Sequence, residues 1–409
     1  MSEWKKVKLG DCCLKIGSGS TPKGGSTVYV ESGTSLIRSQ NVYNLSFDYY
    51  GLTHITEDAA NKLKGVTIFD DDILLNITGD SVARTCIVPN DVLPARVNQH
   101  VAIVRADCKK INSRFLNYYL ASPRMQAHML SLAVGKGASR NAMTKQMIEN
   151  FEVPCPPLEI QHHIATILSR YDSLIENYQK QIKLLEEAAQ RLYKEWFVDL
   201  HFPGHENTKI VDGVPEGWEK KKVGDLVKIK SGYAFKSKEW QSVGCPVVKI
   251  KDISGTFVNN DSLDCVSEEI ASKAIQYSLN SGDLVIAMTG ATIGKIGLIT
   301  ENGLYANQRV GKFFLKEKRD LPFVFCLFKQ ETSLKQIIQI SSASSAQPNI
   351  SGLQLESLGI IFNENIIDKY NTKCISFFEQ MIIIQAQIRL LTEARDRLLP
   401  KLMSGGIAV

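Results

Sequence analysis

The chain has 409 residues, 44% of them apolar, and a formal net charge of +5. That length gives room for two to four domains of ordinary size, and the apolar content is high enough for packed cores, which excludes an intrinsically disordered chain. A basic excess this small is compatible with a polyanionic partner but does not indicate one by itself.

The cysteines and the N-terminus indicate a reducing compartment. Nine cysteines are scattered singly except for the pair Cys12-Cys13, and no Cys-x-x-C motif occurs. The opening sequence MSEWKKVKLG lacks the apolar core of a signal peptide, and no apolar run approaches the roughly 18 residues needed to cross a bilayer. We therefore expect a soluble, cytoplasmic protein with no membrane contact.

The first 155 residues have the pattern of a mixed domain. Short β-rich runs at residues 73–77, 86–88 and 101–104 alternate with turn residues and predict strands. Helical patches follow at 115–120 and 125–132, and then a loop of small residues at 135–141. This order predicts an α+β domain with a strongly curved sheet.

A long helix is predicted for residues 158–199, which contain no Gly or Pro and follow the prolines of residues 153–157. Its apolar residues repeat at spacings of seven, the pattern of a coiled coil. The two heptad rows are Leu168, Ile175, Ile182, Ala189 and Trp196, and Ile164, Tyr171, Tyr178, Leu185 and Leu192. At about 1.5 Å per residue the helix would be roughly 60 Å long, which suits a spacer.

The second half of the chain repeats the first. After a polar linker at 201–216, strands are predicted at 247–250, 284–288 and 312–315, helices at 323–328 and 334–340, and a small-residue loop at 341–349. Residues 4–11, 72–79 and 97–101 also match residues 218–225, 283–290 and 306–310 directly. The offset falls from 214 to 206 along the chain, so the halves differ only by small insertions and deletions.

A second helix near the C-terminus repeats the heptad rows of the first, and Ile388 lies 206 positions after Ile182. One of its rows is Cys374, Met381, Ile388, Arg395 and Leu402, and the other is Tyr370, Phe377, Ile384, Leu391 and Leu398. We expect the two helices to pair within the chain. The predicted seam consists of Leu168, Tyr171, Ile175, Tyr178, Ile182, Leu185, Phe377, Met381, Ile384, Ile388, Leu391 and Leu398.

These patterns predict an α+β protein in which two repeated α/β domains are separated by two long helices that form an antiparallel coiled coil, with pseudo-two-fold symmetry. The expected boundaries are a first domain at 1–155, a helical spacer at 156–200, a linker at 201–216, a second domain at 217–363, and a second helical spacer with the C-terminal tail at 364–409.

Two similar but not identical domains at a fixed separation suit a protein that reads two short patterns on double-stranded DNA. Arg, Gln and Asn can form paired hydrogen bonds with guanine or adenine edges, and Lys can contact phosphates or guanine. The DNA-binding candidates lie in loops of the two halves: Arg38, Gln40, Asn41, Arg84, Arg140, Asn141, Lys249, Lys251, Lys295, Gln347 and Asn349. For any single one of them, a solvated surface residue is the more common alternative.

Other motifs exclude chemistry rather than suggest it. The segment GATIGK at 290–295 is similar to a phosphate-binding loop, but only three residues separate Gly290 from Gly294 and no Ser or Thr follows Lys295. We interpret it as a tight turn whose basic residue faces phosphate. All seven histidines lie at or before His205, so the halves cannot share a histidine-based site. We predict no catalytic residue, no metal site and no cofactor in this chain.

Several segments together resemble the specificity subunits of type I restriction-modification systems. They are PPLEIQ at 156–161, EWFVD at 195–199, LPKLMSG at 399–405, TGATIGK at 289–295, and the W-x-x-x-x-x-G-D opening of both halves. The resemblance covers the whole chain, and none of these segments is a catalytic signature.

The resemblance implies that each domain is a target-recognition domain for one half of a split, asymmetric DNA sequence, with the helices fixing the gap. It implies a non-catalytic subunit that docks two methyltransferase (M) subunits and recruits restriction (R) subunits. S-adenosylmethionine, ATP and Mg would then be bound by those partners, which methylate adenine N6 and cleave DNA.

The second half departs from this pattern at 362–367, where FNENII replaces the PPLEIQ helix entry, so we expect a different entry geometry there. From the residues alone, two other classes stay open. One is a self-contained DNA-cleaving enzyme, and the other is a protein-binding scaffold in which only the coiled coil matters.

Overall fold

The computed structural model describes residues 4–134, 141–342 and 348–407. The chain forms two compact units, of which unit 1 comprises Met1–Ile175 and Leu391–Val409 and unit 2 comprises Glu176–Leu390. Each unit therefore contains one mixed domain together with a part of each long helix.

Thirteen strands are described in unit 1. In chain order β1 to β13 are Lys6–Lys8, Cys13–Ser18, Tyr29–Val30, Thr34–Ile37, Val42–Tyr43, Ser46–Phe47, Thr53–Ile55, Thr67–Ile68, Ile73–Asn76, Thr85–Ile87, Ala95–Val97, Val101–Ala106 and Glu152–Pro154. They form a four-stranded sheet of order β10-β9-β12-β2, a five-stranded sheet of order β3-β7-β4-β11-β8, and the pairs β1-β13 and β5-β6.

The helices of unit 1 are α1 (Glu57–Lys62), α2 (Ser113–Ala121), α3 (Pro123–Ala133), α4 (Lys145–Glu149) and the first part of α5 (Leu158–Tyr193). Their starts follow from local sequence. Thr56 and Asn112 accept hydrogen bonds from backbone N–H groups in the first turns of α1 and α2, and Pro123 opens α3.

The core of unit 1 has three layers because both faces of the four-stranded sheet are covered. Ile73 and Leu75 of β9 pack toward α2, α3 and the long helices, whereas Leu74 packs toward the five-stranded sheet. This alternation follows from the two-residue period of a strand. All four residues of β9 are buried for the same reason.

Unit 2 repeats both sheets and the pair β1-β13 of unit 1. In chain order β14 to β26 are Ile210–Val211, Val214–Pro215, Glu219–Lys222, Val227–Ser231, Trp240–Gln241, Cys245–Val248, Asp264–Val266, Ser278–Leu279, Leu284–Ala287, Ile296–Leu298, Leu304–Ala306, Val310–Leu315 and Gly359–Phe362. The sheets have the orders β17-β25-β22-β23 and β18-β20-β19-β24-β21, with pairs β14-β15 and β16-β26. Among the described residues, the pair β5-β6 of unit 1 and the pair β14-β15 of unit 2 have no equivalent strand pair in the other unit. In both five-stranded sheets one pair of strands is parallel, β4 with β11 and β19 with β24.

The shorter helices of unit 2 are α6 (Glu268–Lys273), α7 (Leu321–Lys329), α8 (Glu331–Ser342) and α9 (Gly352–Glu356), and the long helix α10 spans Glu364–Met403. The predicted strands and helical patches of both halves are confirmed. The single curved sheet predicted for each domain is instead divided into two sheets. In unit 1 the chain leaves the five-stranded sheet at Val97 and enters the four-stranded sheet at Val101.

The predicted long helix is confirmed as α5 followed by a π-helical turn, Lys194–Val198. Its entry is fixed by Gln161, which is fully buried: the side-chain amide donates to the Pro156 carbonyl at 2.8 Å, and Oε1 accepts from the Asn112 N–H at 2.8 Å. The different entry expected for the second helix is also observed. Asn363 caps α10 by accepting from the Ile366 N–H at 3.1 Å.

The two long helices pack against each other inside each unit, antiparallel as predicted. In unit 1 Ile164 and Leu168 share a core cluster with Leu399 and Leu402. In unit 2 the Tyr370 hydroxyl donates to the Ala189 carbonyl at 2.9 Å, and its ring lies 5.4 Å from that of Phe197.

The predicted seam residues differ in burial. Six are buried, namely Leu168, Ile175, Ile182, Met381, Ile384 and Ile388, and six are half-buried, namely Tyr171, Tyr178, Leu185, Phe377, Leu391 and Leu398. Beside two of the half-buried positions, Phe378 (0% exposed) and Leu399 (3%) carry the burial instead. Phe378 packs edge-on against Phe325 of α7, with ring centroids 5.0 Å apart. The helices thus bury a second face against the domains.

By length and composition α10 could cross a membrane, which is weak evidence because core helices pass the same test. Tyr370, Cys374, Phe378 and Met381 on this helix are each fully buried within the protein. All nine cysteines lie in the described part of the chain and are free thiols.

Candidate nucleic-acid interface

Four turns and one short segment meet at one edge of the sheets in each unit, and we call this region the loop edge. In unit 1 it consists of a glycine turn (19–21), a cap turn (38–41), a TG turn (78–84), an NQ turn (98–100) and the segment 141–142. The equivalent parts in unit 2 are 232–234, 249–252, 289–295, 307–309 and 348–349.

The same backbone hydrogen bonds hold both loop edges together. In unit 1 they run from Gly19 N to Val101 O (2.9 Å), Ser20 N to Val97 O (2.9 Å), Asn98 N to Ile37 O (3.0 Å), Ile77 N to His100 O (3.0 Å) and Gly79 N to Asn141 O (3.0 Å). In unit 2 they run from Gly232 N to Val310 O (2.9 Å), Tyr233 N to Ala306 O (2.8 Å), Asn307 N to Val248 O (3.0 Å), Met288 N to Arg309 O (3.0 Å) and Gly290 N to Pro348 O (3.3 Å). The scaffold of the edge is therefore built twice.

Each glycine turn lies against the carbonyls of its NQ turn. A Cβ atom on Gly19 would meet the Val97 oxygen at 2.1 Å, and one on Gly232 would meet the Ala306 oxygen at 2.2 Å. Those contacts are with backbone atoms, which cannot move aside as a flexible side chain can. Only glycine fits at these two positions.

The cap turns are closed by a buried side chain in both units. Asn41 Oδ1 accepts from the Arg38 N–H at 3.0 Å, and its amide donates to the Asp48 and Tyr50 carbonyls at 2.9 and 3.3 Å. Asp252 Oδ2 accepts from the Lys249 N–H at 2.8 Å. Asn41 is 0% exposed and holds its own loop, so it does not belong to the proposed DNA surface.

The other candidates of the cap turns reach the surface. In unit 1 the Arg38 guanidinium and the exposed Gln40 amide both donate to the Gly51 carbonyl, at 2.6 and 3.3 Å. Beside them the side chain of Tyr50 is 87% exposed. This side of the edge therefore combines a cation, an amide and an aromatic ring, groups suited to phosphates, base edges and base faces respectively.

In unit 2 the cap turn carries two lysines that share one carboxylate. Lys249 Nζ and Lys251 Nζ lie 2.9 and 3.2 Å from Asp264 Oδ2, and Lys249 Nζ also lies 3.4 Å from the centre of the Trp240 ring. Hydrogen bonds from the two lysines lower the pKa of Asp264 below its usual range. Asp252 and Asp264 together match the charges of the two lysines, so the group on this turn that suits phosphate is the ammonium of Lys251, whose side chain is 59% exposed.

The TG turns carry one basic residue each. The Arg84 guanidinium is half-buried and lies 4.5 Å over the Tyr43 ring, whereas Lys295 is exposed. Gly79 and Gly290 both have φ of 74°, and the left-handed conformation recurs four residues on at Ala83 (φ 73°) and Gly294 (φ 80°). The segment 290–295 is thus a tight turn, and its basic side chain stays a candidate phosphate contact.

The NQ turns were not predicted as functional, yet they carry exposed side chains at the centre of each edge. Gln99 and Gln308 are exposed at equivalent positions. In unit 1 the next residue is His100, whose Nδ1 lies 2.6 Å from Thr78 Oγ1. In unit 2 it is Arg309, which donates to Asn349 Oδ1 at 3.2 Å. The signal that could have found these glutamines was the repeat of Asn-Gln itself.

Of the candidates in the small-residue loops, Arg140 and Gln347 lie outside the described residues. Asn141 and Asn349 are described beside the TG turns, half-buried and exposed respectively. The Gly79 N–H donates to the Asn141 carbonyl, and the equivalent Gly290 N–H donates to the Pro348 carbonyl. Asn141 therefore corresponds to Pro348, and the next residue, Ala142, corresponds to Asn349. Within the described ranges, no group of three His, Cys, Asp or Glu side chains could hold a metal ion.

Residues 1–187 and 215–391 each match the family described as "Type I restriction modification DNA specificity domain". The two matches cover the two domains and most of the long helices. The chain thus carries this domain twice, as the internal repeat predicts.

Two similar proteins that match over the full length of this chain are specificity subunits of type I restriction enzymes. The chain is 27% identical to the type I restriction enzyme MjaIX specificity subunit of Methanocaldococcus jannaschii, over 100% of this chain and 94% of that protein. It is 21% identical to the HindI specificity subunit of Haemophilus influenzae, over the whole of both chains.

A solved structure shares the fold. The S subunit of a type I restriction-modification system from M. genitalium superposes with a TM-score of 0.61 at 17% identity, covering 98% of this chain and 96% of that chain. The fold class predicted from the sequence is confirmed. The chain belongs to the family of type I restriction-modification specificity subunits, as its sequence resemblance indicates.

Proposed function

We propose that each loop edge reads one half of the bipartite, asymmetric DNA target of this specificity subunit, with Gln99 and Gln308 as central contacts. The observation that carries the proposal is that one backbone scaffold is built twice and presents different side chains. A shared scaffold gives both edges the same approach to a groove, and different side chains give them different base preferences.

Family membership confirms the coarser function predicted from the sequence. The chain is the DNA-recognition subunit of a type I restriction-modification complex and is not itself an enzyme. This excludes the two classes left open by the residues alone, a self-contained nuclease and a protein scaffold without DNA.

The side chains at the two edges divide into shared and distinct contacts. A glutamine amide can donate to and accept from adenine at once, so Gln99 and Gln308 suit base edges. Around them Arg38, Arg84 and His100 in unit 1 are replaced by Lys249, Lys295 and Arg309 in unit 2. The arginines and lysines suit phosphates, whose contacts fix position and make the affinity depend on salt.

Substituting the two glutamines separately tests the proposal. In a complex reconstituted with its methyltransferase partners, Gln99→Ala should relax base choice in one half of the methylated motif, and Gln308→Ala in the other. The loss of a paired base contact is worth about 1–3 kcal/mol of discrimination. Methylome sequencing reads the motif directly, and the exposed glutamines Gln146 and Gln336, away from the loop edges, provide matched alanine controls. An unchanged motif in both variants would contradict the proposal.

The finer assembly is also proposed. Two methyltransferase subunits dock on the outer faces of α5 and α10, and restriction subunits join the complex. S-adenosylmethionine, ATP and Mg are bound by these partners, and the complex acts in the cytoplasm. Exposed apolar side chains on the helices, such as Leu184 (64% exposed) and Ile383 (57%), support a docking face there.

The helices are proposed to set the gap between the two half-sites. Because α5 and α10 pair, a heptad inserted in α5 alone would break the register, so one heptad should be inserted in each helix, after Ile175 and after Leu390. Seven residues add about 10 Å, which is about three base pairs of DNA. The methylated motif should gain that gap, and an unchanged gap in a folded, active variant would refute the role.

A further inference from the structure

One charged residue stands inside the buried heptad row of α10. Arg395 follows Cys374, Met381 and Ile388 in that row, and its side chain is only 14% exposed. The guanidinium Nη1 lies 2.7 Å from Asp172 Oδ1 on α5. The Tyr118 hydroxyl on α2 donates to the other carboxylate oxygen, Asp172 Oδ2. The network Tyr118–Asp172–Arg395 therefore joins three helices of unit 1.

Each member of this network depends on the others. Burial by itself lowers the pKa of Arg395, but the hydrogen bonds and charges of Asp172 and of the adjacent Asp396 outweigh it and raise that pKa above its usual range. Burial and the neighbouring carboxylate raise the pKa of Tyr118, which stays a neutral donor. A charge left without its partner in such a place is strongly destabilising.

Unit 2 has no charge at the equivalent positions. The repeat of 206 residues places Ala189 at the position of Arg395 and Phe378 at that of Asp172, and both are 0% exposed. Cys326 of α7 stands where α2 has Tyr118, and its sulfur lies 3.2 Å from the Tyr370 hydroxyl. In unit 1 an ion pair thus joins α5 to α10 at these positions, whereas in unit 2 apolar and neutral side chains pack there.

This difference matters because α5 and α10 are repeats of each other. Two α5 helices or two α10 helices from two copies of the chain could therefore pair through nearly the same apolar seam as α5 with α10. In the register observed within unit 1, residue 172 of α5 faces residue 395 of α10. If two copies of α5 paired in that register, Asp172 would face Ala189. In a pair of two α10 helices, Arg395 would face Phe378. The first pairing would leave Asp172 without its ion-pair partner, and the second would leave Arg395 with only the adjacent Asp396, whose side chain is 55% exposed.

We propose that the network Tyr118–Asp172–Arg395 selects the pairing of α5 with α10 and acts against pairing with the same helix of a second copy of this chain. The residues are positioning residues, and their effect resembles that of a buried polar group that specifies partner choice in a coiled coil. This consequence rests on the proposed function: by pairing α5 only with α10, the network keeps two different recognition domains on each helix pair, and the DNA target that they read stays asymmetric.

The full chain is unfolded in denaturant and refolded at high protein concentration, without DNA. The fractions of monomer and dimer are then measured from the molecular mass of the refolded protein. We compare the wild type with the neutral pair Asp172→Leu/Arg395→Leu and the reversed pair Asp172→Arg/Arg395→Asp. The wild type and the reversed pair should refold to monomer, because in both proteins the two opposite charges meet only when α5 pairs with α10. The neutral pair should give a dimer fraction about tenfold larger or more, since nothing then opposes identical pairing.

Two further variants make the outcome decisive. Phe378→Leu changes the equivalent uncharged position in unit 2 and should leave the monomer fraction unchanged. If the leucine pair does not fold, Asp172→Asn/Arg395→Gln keeps polar side chains that can form hydrogen bonds but removes both charges, and it should also raise the dimer fraction. A neutral pair that refolds to the wild-type monomer fraction overturns the proposal. Because no DNA is present, that result is separate from a failure of the glutamine substitutions at the loop edges.

Discussion

In unit 1 the cap turn is closed by Asn41, whose side chain makes three hydrogen bonds, whereas the same turn in unit 2 is closed by the carboxylate of Asp252, which accepts from Lys249 N–H. The TG turns differ similarly, since Ala83 takes a left-handed conformation where unit 2 has Gly294. The backbone of the edge is the same in both units, but the side chains that maintain it are not. The two edges therefore have different weak points, and substitutions that exchange their residues should reveal which features the scaffold requires.

The largest effect is expected where the two units are identical. Gly19→Ala and Gly232→Ala each place a Cβ within 2.3 Å of a carbonyl oxygen, so each should lower the free energy of unfolding by about 2–3 kcal/mol. Gly65→Ala and Gly255→Ala are the controls, because nothing lies within 4 Å of their Cβ positions. Denaturant titration checks the loss, and equal stability of test and control variants would show that the glycine turns can shift.

Removing the cap of unit 1 should come next. Asn41→Ala leaves the Arg38 N–H and two loop carbonyls without their buried partner, and should cost about 2 kcal/mol. The exposed neighbour Asn44, substituted by alanine, is a less buried comparison. Hydrogen exchange of the cap turn should rise in Asn41→Ala, and unchanged protection would contradict the role of this side chain.

Exchanging the TG turn residues should act in opposite directions. Ala83→Gly removes the strain of a left-handed alanine, about 1–2 kcal/mol, but also a fully buried methyl group worth about 0.8 kcal/mol, so it should raise the free energy of unfolding by no more than about 1 kcal/mol. Gly294→Ala introduces that strain and places a Cβ 2.7 Å from Leu334 Cδ1, so it should destabilise unit 2. Thermal unfolding of the two variants checks the signs, and a shared sign would contradict the comparison.

The smallest effect is expected when unit 2 is given the cap of unit 1. Burial raises the pKa of Asp252, so its stabilising contribution is complete below the ordinary carboxyl value of 3.8 and is lost as the pH rises through the raised value. Asp252→Asn keeps an acceptor for the Lys249 N–H without the buried charge. It should therefore gain less than about 1 kcal/mol relative to the wild type at neutral pH, and this gain should vanish toward about pH 4.

Stability measured against pH for both proteins checks this. A gain that stays constant with pH would assign it to hydrogen bonding rather than to the buried charge.

The sequence predicted the architecture well because periodicity and repetition report on it directly. The heptad rows located both long helices, and the row from Leu168 to Trp196 is buried at every position. The choice of Phe377 over Phe378 shows where the heptad pattern stops being sufficient. A strict seven-residue repeat describes one contact face, whereas α10 also packs on α7 and buries Phe378 there.

The candidate DNA contacts were harder to predict, because residue type does not distinguish a side chain that caps a turn from one that faces solvent. Asn41 and Gln40 are neighbours of similar chemistry, yet one is buried and the other exposed. Gln99 and Gln308 were visible only as part of a repeated Asn-Gln pair. The folded turn was needed to show that the asparagine N–H binds the scaffold and the glutamine reaches the surface.

The division of the long helices between the units has a consequence for synthesis on the ribosome. Unit 2 is complete once residue 390 has been made, whereas the core of unit 1 includes Leu399, Leu402 and Met403 near the end of the chain. The first domain to be translated is thus the last to receive its full core. Until then the apolar face of its half of α5 lacks its partner, and newly made chains are exposed to misassociation during that interval.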